Sequence, residues 1–433
     1  MTVVVANGTV IDETGERRAD VLVRDGVIEE IASSISVPAG ATVLDAEGAV
    51  VTPGLIDIQV HFREPGKEEA ETIETGARGA ALGGFTGVVA MPNTLPPLDD
   101  AAVMASVQAE AEKAVCDVTF AGCITIGRQG EELAPLGELY DLGVRVFTDD
   151  GDCVPTAGVM RRAFEYASML DGAVLAQHAE DPSLVHGGHM NEGEWSAKLG
   201  IPGRPREAEA IIVARDLMLA EMYDARYHVL HLSTAEACDL IRAAKARGVR
   251  VTTEVSPQHL SLTDEYCSTY DPVFKMNPPL RTARDVEAMR VGLVDGTIDA
   301  IATDHAPHAP ETKAAPFEEA PPGMLGVETA VSVAITHLVE TGRMSLRDVI
   351  GAFAWRAVAV HPYLRERGHG RPVAPGEPAN LAVIDPSVRW TVDPAHMASK
   401  SRNSPFAGHE LVGRPRHTIL RGEPVVIDGE ATR

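Results

Sequence analysis

Eight short apolar runs recur between Ile56 and Asp304, each separated from the next by stretches with helical spacing, and this alternation constrains the fold more than any other feature. The runs cover residues 56–61, 87–91, 118–124, 144–148, 173–178, 228–231, 250–255 and 300–304. Between them, 71–82, 101–114, 207–223 and 235–246 carry apolar residues at helical intervals. Strands that alternate with helices pair in parallel through crossovers, and eight such units in about 250 residues is the length of a closed β/α barrel. The first fifty residues differ. Short β-type runs at 2–6, 20–23, 27–31 and 42–45, broken by Gly, Asn and Asp turns, predict a small antiparallel unit. Runs at 380–384, 417–420 and 424–427 return to that pattern. The predicted architecture is α/β: a (β/α)8 TIM barrel over 54–370, with a small flanking β-sandwich domain built from both chain termini, 1–53 and 371–433.

Composition narrows the partners. Aromatic residues are only 4% of a chain that is 45% hydrophobic, so aliphatic side chains fill the core. Acidic residues outnumber basic ones 63 to 38, and the formal charge of −25 disfavours nucleic acid and anionic membrane surfaces. An anionic ligand therefore requires locally placed cations. Five cysteines, odd in number and never spaced Cys-x-x-Cys, fit reduced thiols better than a disulfide framework or a zinc ribbon. With no signal-peptide pattern and no run of membrane-spanning length, the expected location is cytoplasmic.

His61, Asp150, His178, His231 and Asp304 sit at or just past the C-terminal ends of five of the eight runs. That end of a β/α barrel is where catalytic groups gather. Three imidazoles and two carboxylates suit zinc better than magnesium or calcium, which prefer nearly all-oxygen shells. Asp150 is placed to bridge two ions, with His61 and Asp304 on one side and His178 and His231 on the other. A site of that composition points to metal-assisted hydrolysis near neutral pH. One position departs from the pattern. In Asp57-Ile-Gln-Val-His61, Gln59 stands where a His-x-His pair would put a second imidazole, and an amide oxygen is a weaker zinc ligand. One or two zinc ions per chain are expected, the Gln59 side being the less occupied.

Several motifs carry a resemblance along nearly the whole chain: Asp57-Ile-Gln-Val-His-Phe-Arg-Glu-Pro-Gly66, MPNT (91–94), FTDDG (147–151), QHAED (177–181), HLST (231–234), NPPLR (277–281) and ATDHAPH (302–308). Together they resemble the dihydroorotases of the amidohydrolase superfamily, most closely the long class I bacterial type, in which an aspartate bridges the metals. The fourth run, GVRVFTDDG, has no lysine, whereas hydantoinases and allantoinases depend on a carbamylated one there. The resemblance implies reversible cyclisation of N-carbamoyl-L-aspartate to L-dihydroorotate in pyrimidine biosynthesis. It makes Asp304 the base that takes a proton from the nucleophile and returns it to the leaving nitrogen. Arg63 becomes the bidentate partner of a substrate carboxylate, completed by Asn93 and His308. Asn277, Pro322 and Gly323 match positions that hold the ring.

Two long Gly- and Pro-rich connections, 186–206 and 305–326, follow the fifth and eighth runs and are candidate lids. The Gln258 of Ser256-Pro-Gln258-His259 replaces a histidine usual in the family and is expected to support rather than ligate. Two other readings stay open. One is a catalytically silent scaffold subunit partnering aspartate transcarbamoylase; the other is a hydrolase of another cyclic amide, hydantoinase- or allantoinase-like. Retention of the whole ligand set favours an enzyme, one expected to form a homo-oligomer or join a larger assembly.

Overall fold

A computed structural model describes residues 1–433. The eight α/β strands are Leu55–Val60, Phe85–Ala90, Asp117–Phe120, Val146–Phe147, Val174–Gln177, Arg226–Val229, Val251–Val255 and Ala300–Ile301. The first three form one parallel sheet and the last five another. Single parallel bridges join the sheets at both edges, Gly122 with Phe147 and Val60 with His305. At the second join the His61 N–H donates to the His305 carbonyl at 2.8 Å. Asp57 reinforces it, accepting the Thr303 N–H at 3.0 Å and the Thr303 hydroxyl at 2.5 Å. Burial raises the Asp57 carboxyl to about 7 despite these donors.

Alternate strand positions feed two apolar clusters. Val88, Ala90, Leu175, Val229 and Ile301 belong to a cluster of 75 residues that also takes in the helices. Val89, Met91, Ala176, Leu230 and Ala302 belong to a separate one of 14. Both faces of these strands are therefore covered, which is why the sequence shows continuous apolar runs instead of an alternating pattern.

The two chain ends share one sheet. Its order is Glu430–Ala431, Glu423–Ile427, Glu410–Leu420, Leu381–Thr391, Val50–Pro53, Thr9–Asp12 and Gly15–Arg18. A second sheet runs Val27–Ala32, Asp20–Arg24, Thr2–Ala6, Thr42–Asp45. Val3, Val5, Val21 and Val23 of one meet Val10, Val51, Leu381, Val383 and Ile419 of the other in a cluster of 16. The N-terminal unit is not purely antiparallel as expected. Thr2–Ala6 pairs in parallel with Thr42–Asp45, and Thr9–Asp12 with Val50–Pro53. Strand direction is set by partners distant in sequence, and local turn signals carry no information about them.

The connections over the strand ends are also more ordered than their composition suggests. Residues 186–206 contain the pair Met190–Asn191 and Gly203–Arg204 and the helix Glu194–Leu199. Between Leu381–Thr391 and Glu410–Leu420, the chain leaves the sandwich and reaches back over the α/β strands, where Asn403 Nδ2 donates to the carbonyls of Ala306 and Gly323.

Helix Ile73–Leu82 starts at Thr72, whose hydroxyl accepts the Thr75 N–H, and packs its Gly76 face on Phe62, the neighbour of His61. A Cβ on Gly76 would stand 2.4 Å from the Phe62 ring. Gly76→Ala is expected to lower stability by about 1–3 kcal/mol, although alanine is the better helix former. Denaturant unfolding of the two proteins checks this; an unchanged or higher midpoint would show that the ring has room to move.

Candidate active site

Each functional side chain leaves a strand end whose backbone is fixed by a neighbouring polar group. In FTDDG the two aspartates have different tasks. Asp149 accepts the N–H groups of Ile124 and Thr125 at 2.9 and 3.0 Å and ties the third strand's loop to the fourth, while Asp150 faces the cavity. In HLST, Glu209 accepts the Thr234 N–H at 2.9 Å and its hydroxyl at 2.7 Å, holding the turn after His231. In ATDHAPH, Thr303 is held by Asp57 and His305 Nδ1 accepts the Gly326 N–H at 3.1 Å, so Asp304 is clamped from both sides. Arg63, His231 and Asp304 all adopt left-handed backbone, with φ of 54, 33 and 48°. Non-glycine residues pay for that conformation, and it persists where the surroundings over-determine it.

These groups line one cavity of about 230 Å³, with His61, Arg63, Asn93, Asp150, His178, His231, Asn277, Asp304, His308, Pro322 and Gly323 in its walls. Gln59 lies behind the wall, fully buried. Every site residue expected from sequence is thus brought together. Lys67 and Arg128 also line the cavity, and Glu180 and Asn403 stand behind it; sequence reading named none of the four. A signal for Glu180 existed in its spacing of two from His178, and Lys67 follows Arg63 by four. Nothing local marks Asn403, which acts from the far end of the chain.

The hydrogen bonds decide what the cavity can hold. His61 Nδ1 lies 2.8 Å from Asn93 Oδ1, which can only accept, so its Nε2 carries the lone pair. That lone pair faces two carboxylates, Asp304 at 3.1 Å and Asp150 at 3.3 Å. His178 Nε2 likewise donates to Glu180 at 3.1 Å, which turns Nδ1 toward the cavity, where a proton or a metal ion can sit. Nδ1 points at His231 Nε2, 2.9 Å away, and at Asp150 Oδ1, 3.5 Å away. His231 Nε2 in turn is 3.3 Å from Asp150 Oδ1. Asp150, His178 and His231 therefore converge as a ligand triad in a buried space, and lone pairs in that arrangement repel unless a cation lies among them. Burial would lower His178, but Asp150 and Glu180 push it up to about 10, the same electrostatic demand expressed as proton affinity. The residues fit a metal ion.

Gln59 fits less well. Its Nε2 donates to Asp150 Oδ2 at 3.1 Å and its Oε1 is buried without a partner. The amide thus serves Asp150 as a neutral hydrogen-bond donor, and the set formed by His61, Asp150 and Asp304 lacks a further strong ligand. Gln258 is a support, as expected, with Nε2 donating to the Thr303 carbonyl at 3.3 Å.

Beside the triad, Arg63 is buried and anchored by Nε to the Pro307 carbonyl at 3.0 Å. His308 Nε2 lies 2.7 Å from the Pro322 carbonyl, so that nitrogen holds the proton. Burial first, then Arg63, pushes His308 down to about 2, keeping it neutral. Glu180 is held by Arg204 at 2.9 Å and faces buried Arg281 at 3.8 Å. Arg204 belongs to the 186–206 connection, which thereby anchors the His178 partner. Lys313 pins the other connection, its Nζ donating to the carbonyls of Pro321 and Gly323 at 3.0 and 3.1 Å.

Comparison with known proteins agrees with this geometry. A family model described as Dihydro-orotase-like matches residues 48–237. A dihydroorotase of Streptomyces coelicolor is 48% identical over 421 residues, covering 96% of this chain and 97% of that protein. One of Mycobacterium tuberculosis is 45% identical over 417 residues, covering 95% and 96%. Among solved structures, an L-hydantoinase (dihydropyrimidinase) from Arthrobacter aurescens superposes with a TM-score of 0.89 at 26% identity, covering 100% of this chain and 97% of that one.

Two outcomes are expected. Glu180→Gln, which removes the charge orienting His178, should weaken metal affinity about 10- to 100-fold, measured by competition with a chelator; unchanged affinity would remove Glu180 from the site. Burial lowers the Lys313 ammonium to about 7. The unfolded chain keeps that proton up to about 10.5, so this group adds stability as pH rises from 7 to 10.5 and withdraws it as pH falls back from 10.5 to 7, below which both states hold the proton and its contribution is constant. Lys313→Met should flatten that part of the curve of Tm against pH, and an unaltered slope would contradict the assignment.

Proposed function

The chain belongs to the dihydroorotase family, and on that premise we propose that it is a cyclic amide hydrolase catalysing the reversible conversion of L-dihydroorotate and N-carbamoyl-L-aspartate in pyrimidine biosynthesis. One observation carries the reading. A buried guanidinium suited to a carboxylate, Arg63, opens into the same cavity as the Asp150, His178 and His231 triad. A ring bearing a carboxylate and an amide needs both at once.

In this reading the eight strands form a closed barrel, supported by the two bridges at the sheet edges. The barrel takes 54–370, and 1–53 with 371–433 form the sandwich. Asp150, His178 and His231 would hold zinc, with His61, Asp304 and weakly Gln59 holding a second ion. When bound, the metal supplies Lewis acidity toward the amide carbonyl and toward water near neutral pH. The chain's own groups do the rest. Arg63, Asn93 and neutral His308 bind the carboxylate and orient the ring, with Asn277 and the backbone at Pro322 and Gly323 along its other edge. Asp304 accepts the proton released as water oxygen bonds to the amide carbon, then returns it to the ring nitrogen as the C–N bond breaks. Ring closure runs the same transfers backwards.

The hydantoinase fold neighbour raises the competing reading of a neutral cyclic amide as substrate, but Arg63 and the lysine-free FTDDG segment support the carboxylated ring. A scaffold serving aspartate transcarbamoylase gains no support from a site so fully assembled. A homo-oligomer does gain some, from the outer stripe of helix Glu207–Tyr223, where Ile211, Met218 and Met222 are 50, 71 and 63% exposed. No helix is long and apolar enough to cross a membrane, and all five cysteines are free and buried, which supports a cytoplasmic location.

Zinc-loaded protein is expected to consume L-dihydroorotate, followed by ring absorbance, and Asp304→Asn to cut the rate about 10²- to 10⁴-fold. Gln59→His should raise metal occupancy. Wild-type inactivity rescued by Gln59→His would mean a competent barrel one ligand short; inactivity without rescue would overturn the reading.

A further inference from the structure

Two cations in the cavity have no part in the reaction just described. Lys67 and Arg128 line it together with Arg63. Lys67 sits one turn past Arg63, its backbone N–H donating to the Arg63 carbonyl at 3.1 Å, while its ammonium meets no carboxylate within ion-pair distance. Its neighbours Glu64 and Glu68 are turned away, accepting the N–H groups of Ile73 and Gly66 at 2.8 and 2.7 Å. The three cations line one cavity, and burial, then Arg63, then Arg128 push the Lys67 ammonium down against a smaller opposing effect of Glu69.

Arg128 lines the same cavity. It follows Gly127 in left-handed backbone, with φ of 57° after 61°, and its guanidinium is tied to the Asp152 carboxylate and, through Nε, to the Asp149 carbonyl at 3.4 Å. That places Nη2 beside Gly151. A Cβ there would stand 3.1 Å from Asn93 Nδ2 and 3.4 Å from Arg128 Nη2, so the glycine leaves open a cradle flanked by two donors. Asn93 Oδ1 is engaged by His61, which commits Nδ2 to face this space. Asp150 and Asp304 lie deeper in the same cavity and Asp152 is paired with Arg128, yet on a chain of charge −25 the three cations and the amide donor give its wall a local cationic side suited to an anion.

We propose that Lys67 and Arg128 are specificity-determining residues that capture the substrate's carboxylate at the mouth of the cavity and set its preference for carboxylated over neutral pyrimidine rings. The proposal rests on the dihydroorotase reading. Arg63 fixes the carboxylate once the ring is seated, whereas the outer pair acts earlier and at longer range, where salt screens it.

Orotate and uracil, planar rings that differ by the carboxylate alone, are the probes, titrated calorimetrically into the metal-loaded full chain at about 20 and 300 mM salt. Lys67→Met is expected to weaken orotate roughly 3- to 10-fold at low salt, with less effect at high salt and none on uracil. Lys67→Arg should retain orotate binding, and Arg128→Lys, which keeps a charge but loses the donor beside Gly151, should show an intermediate loss. Equal losses for orotate and uracil, or no loss with Lys67→Met at low salt, would overturn the proposal. Wild-type protein that binds orotate in this salt-dependent way without turning over L-dihydroorotate would refute the activity and leave the anion site standing.

Discussion

A single buried carboxylate organises the site. Asp150 offers Oδ1 to His178 and His231 and Oδ2 to His61 and Gln59, so each half of the ligand set is built against a different oxygen of one residue. Burial opposes its charge, yet hydrogen bonds from His178 and His231 hold its carboxyl well below the usual range. Everything near it follows from keeping that anion compensated. His61 is turned by Asn93, His178 by Glu180, and Glu180 is itself held by two arginines. Substituting glutamine for an imidazole beside such a carboxylate replaces a ligand with a hydrogen-bond donor. The exchange leaves the amide oxygen Oε1 buried without a partner, a desolvation cost that the bond from Nε2 to Asp150 partly offsets.

The ligand end of the cavity depends on a different support. His308, Pro322 and Gly323 lie on a connection with one short helical turn, so their positions come from outside it. Asn403 accepts the His308 N–H at 3.2 Å and donates to Ala306 and Gly323, while Lys313 gathers the carbonyls of Pro321 and Gly323. The wall at His308, Pro322 and Gly323 is thereby supported by a segment that departs from the sandwich, whereas Asp150, His178 and His231 rest on the strand ends.

What the sequence made legible was whatever repeats or is local. Eight buried parallel strands write continuous apolar runs, and a polar residue at the end of five of them is visible because polar residues are costly there. The positions of His61, Asp150, His178, His231 and Asp304 followed directly. Strands Thr9–Asp12 and Gly15–Arg18 were missed, the second because Gly-Glu-Arg-Arg at a sheet edge has no inward apolar face to announce it. Parallel pairing in the N-terminal unit was missed because its partners lie far along the chain. Arg128, Lys67 and Asn403 were missed because a lone polar or charged residue on a loop looks the same in sequence whether or not it faces a cavity, and Glu180 because the histidine beside it in QHAED drew the reading first.

The shared sheet has a consequence for the order in which the protein can be made. Thr52 and Ala382 meet across strands although 330 residues separate them. At roughly 5–20 residues per second, a ribosome needs about a quarter of a minute to a minute to supply the second strand after the first. Through that interval Val50–Pro53 has an unpaired edge, and its Val51 and the neighbouring Val10 lack the Leu381 and Val383 of the cluster they later share. An exposed apolar edge of that duration is an invitation to pair with another nascent chain. The sandwich, although smaller than the α/β part, is therefore where synthesis in a crowded cell is most exposed to error.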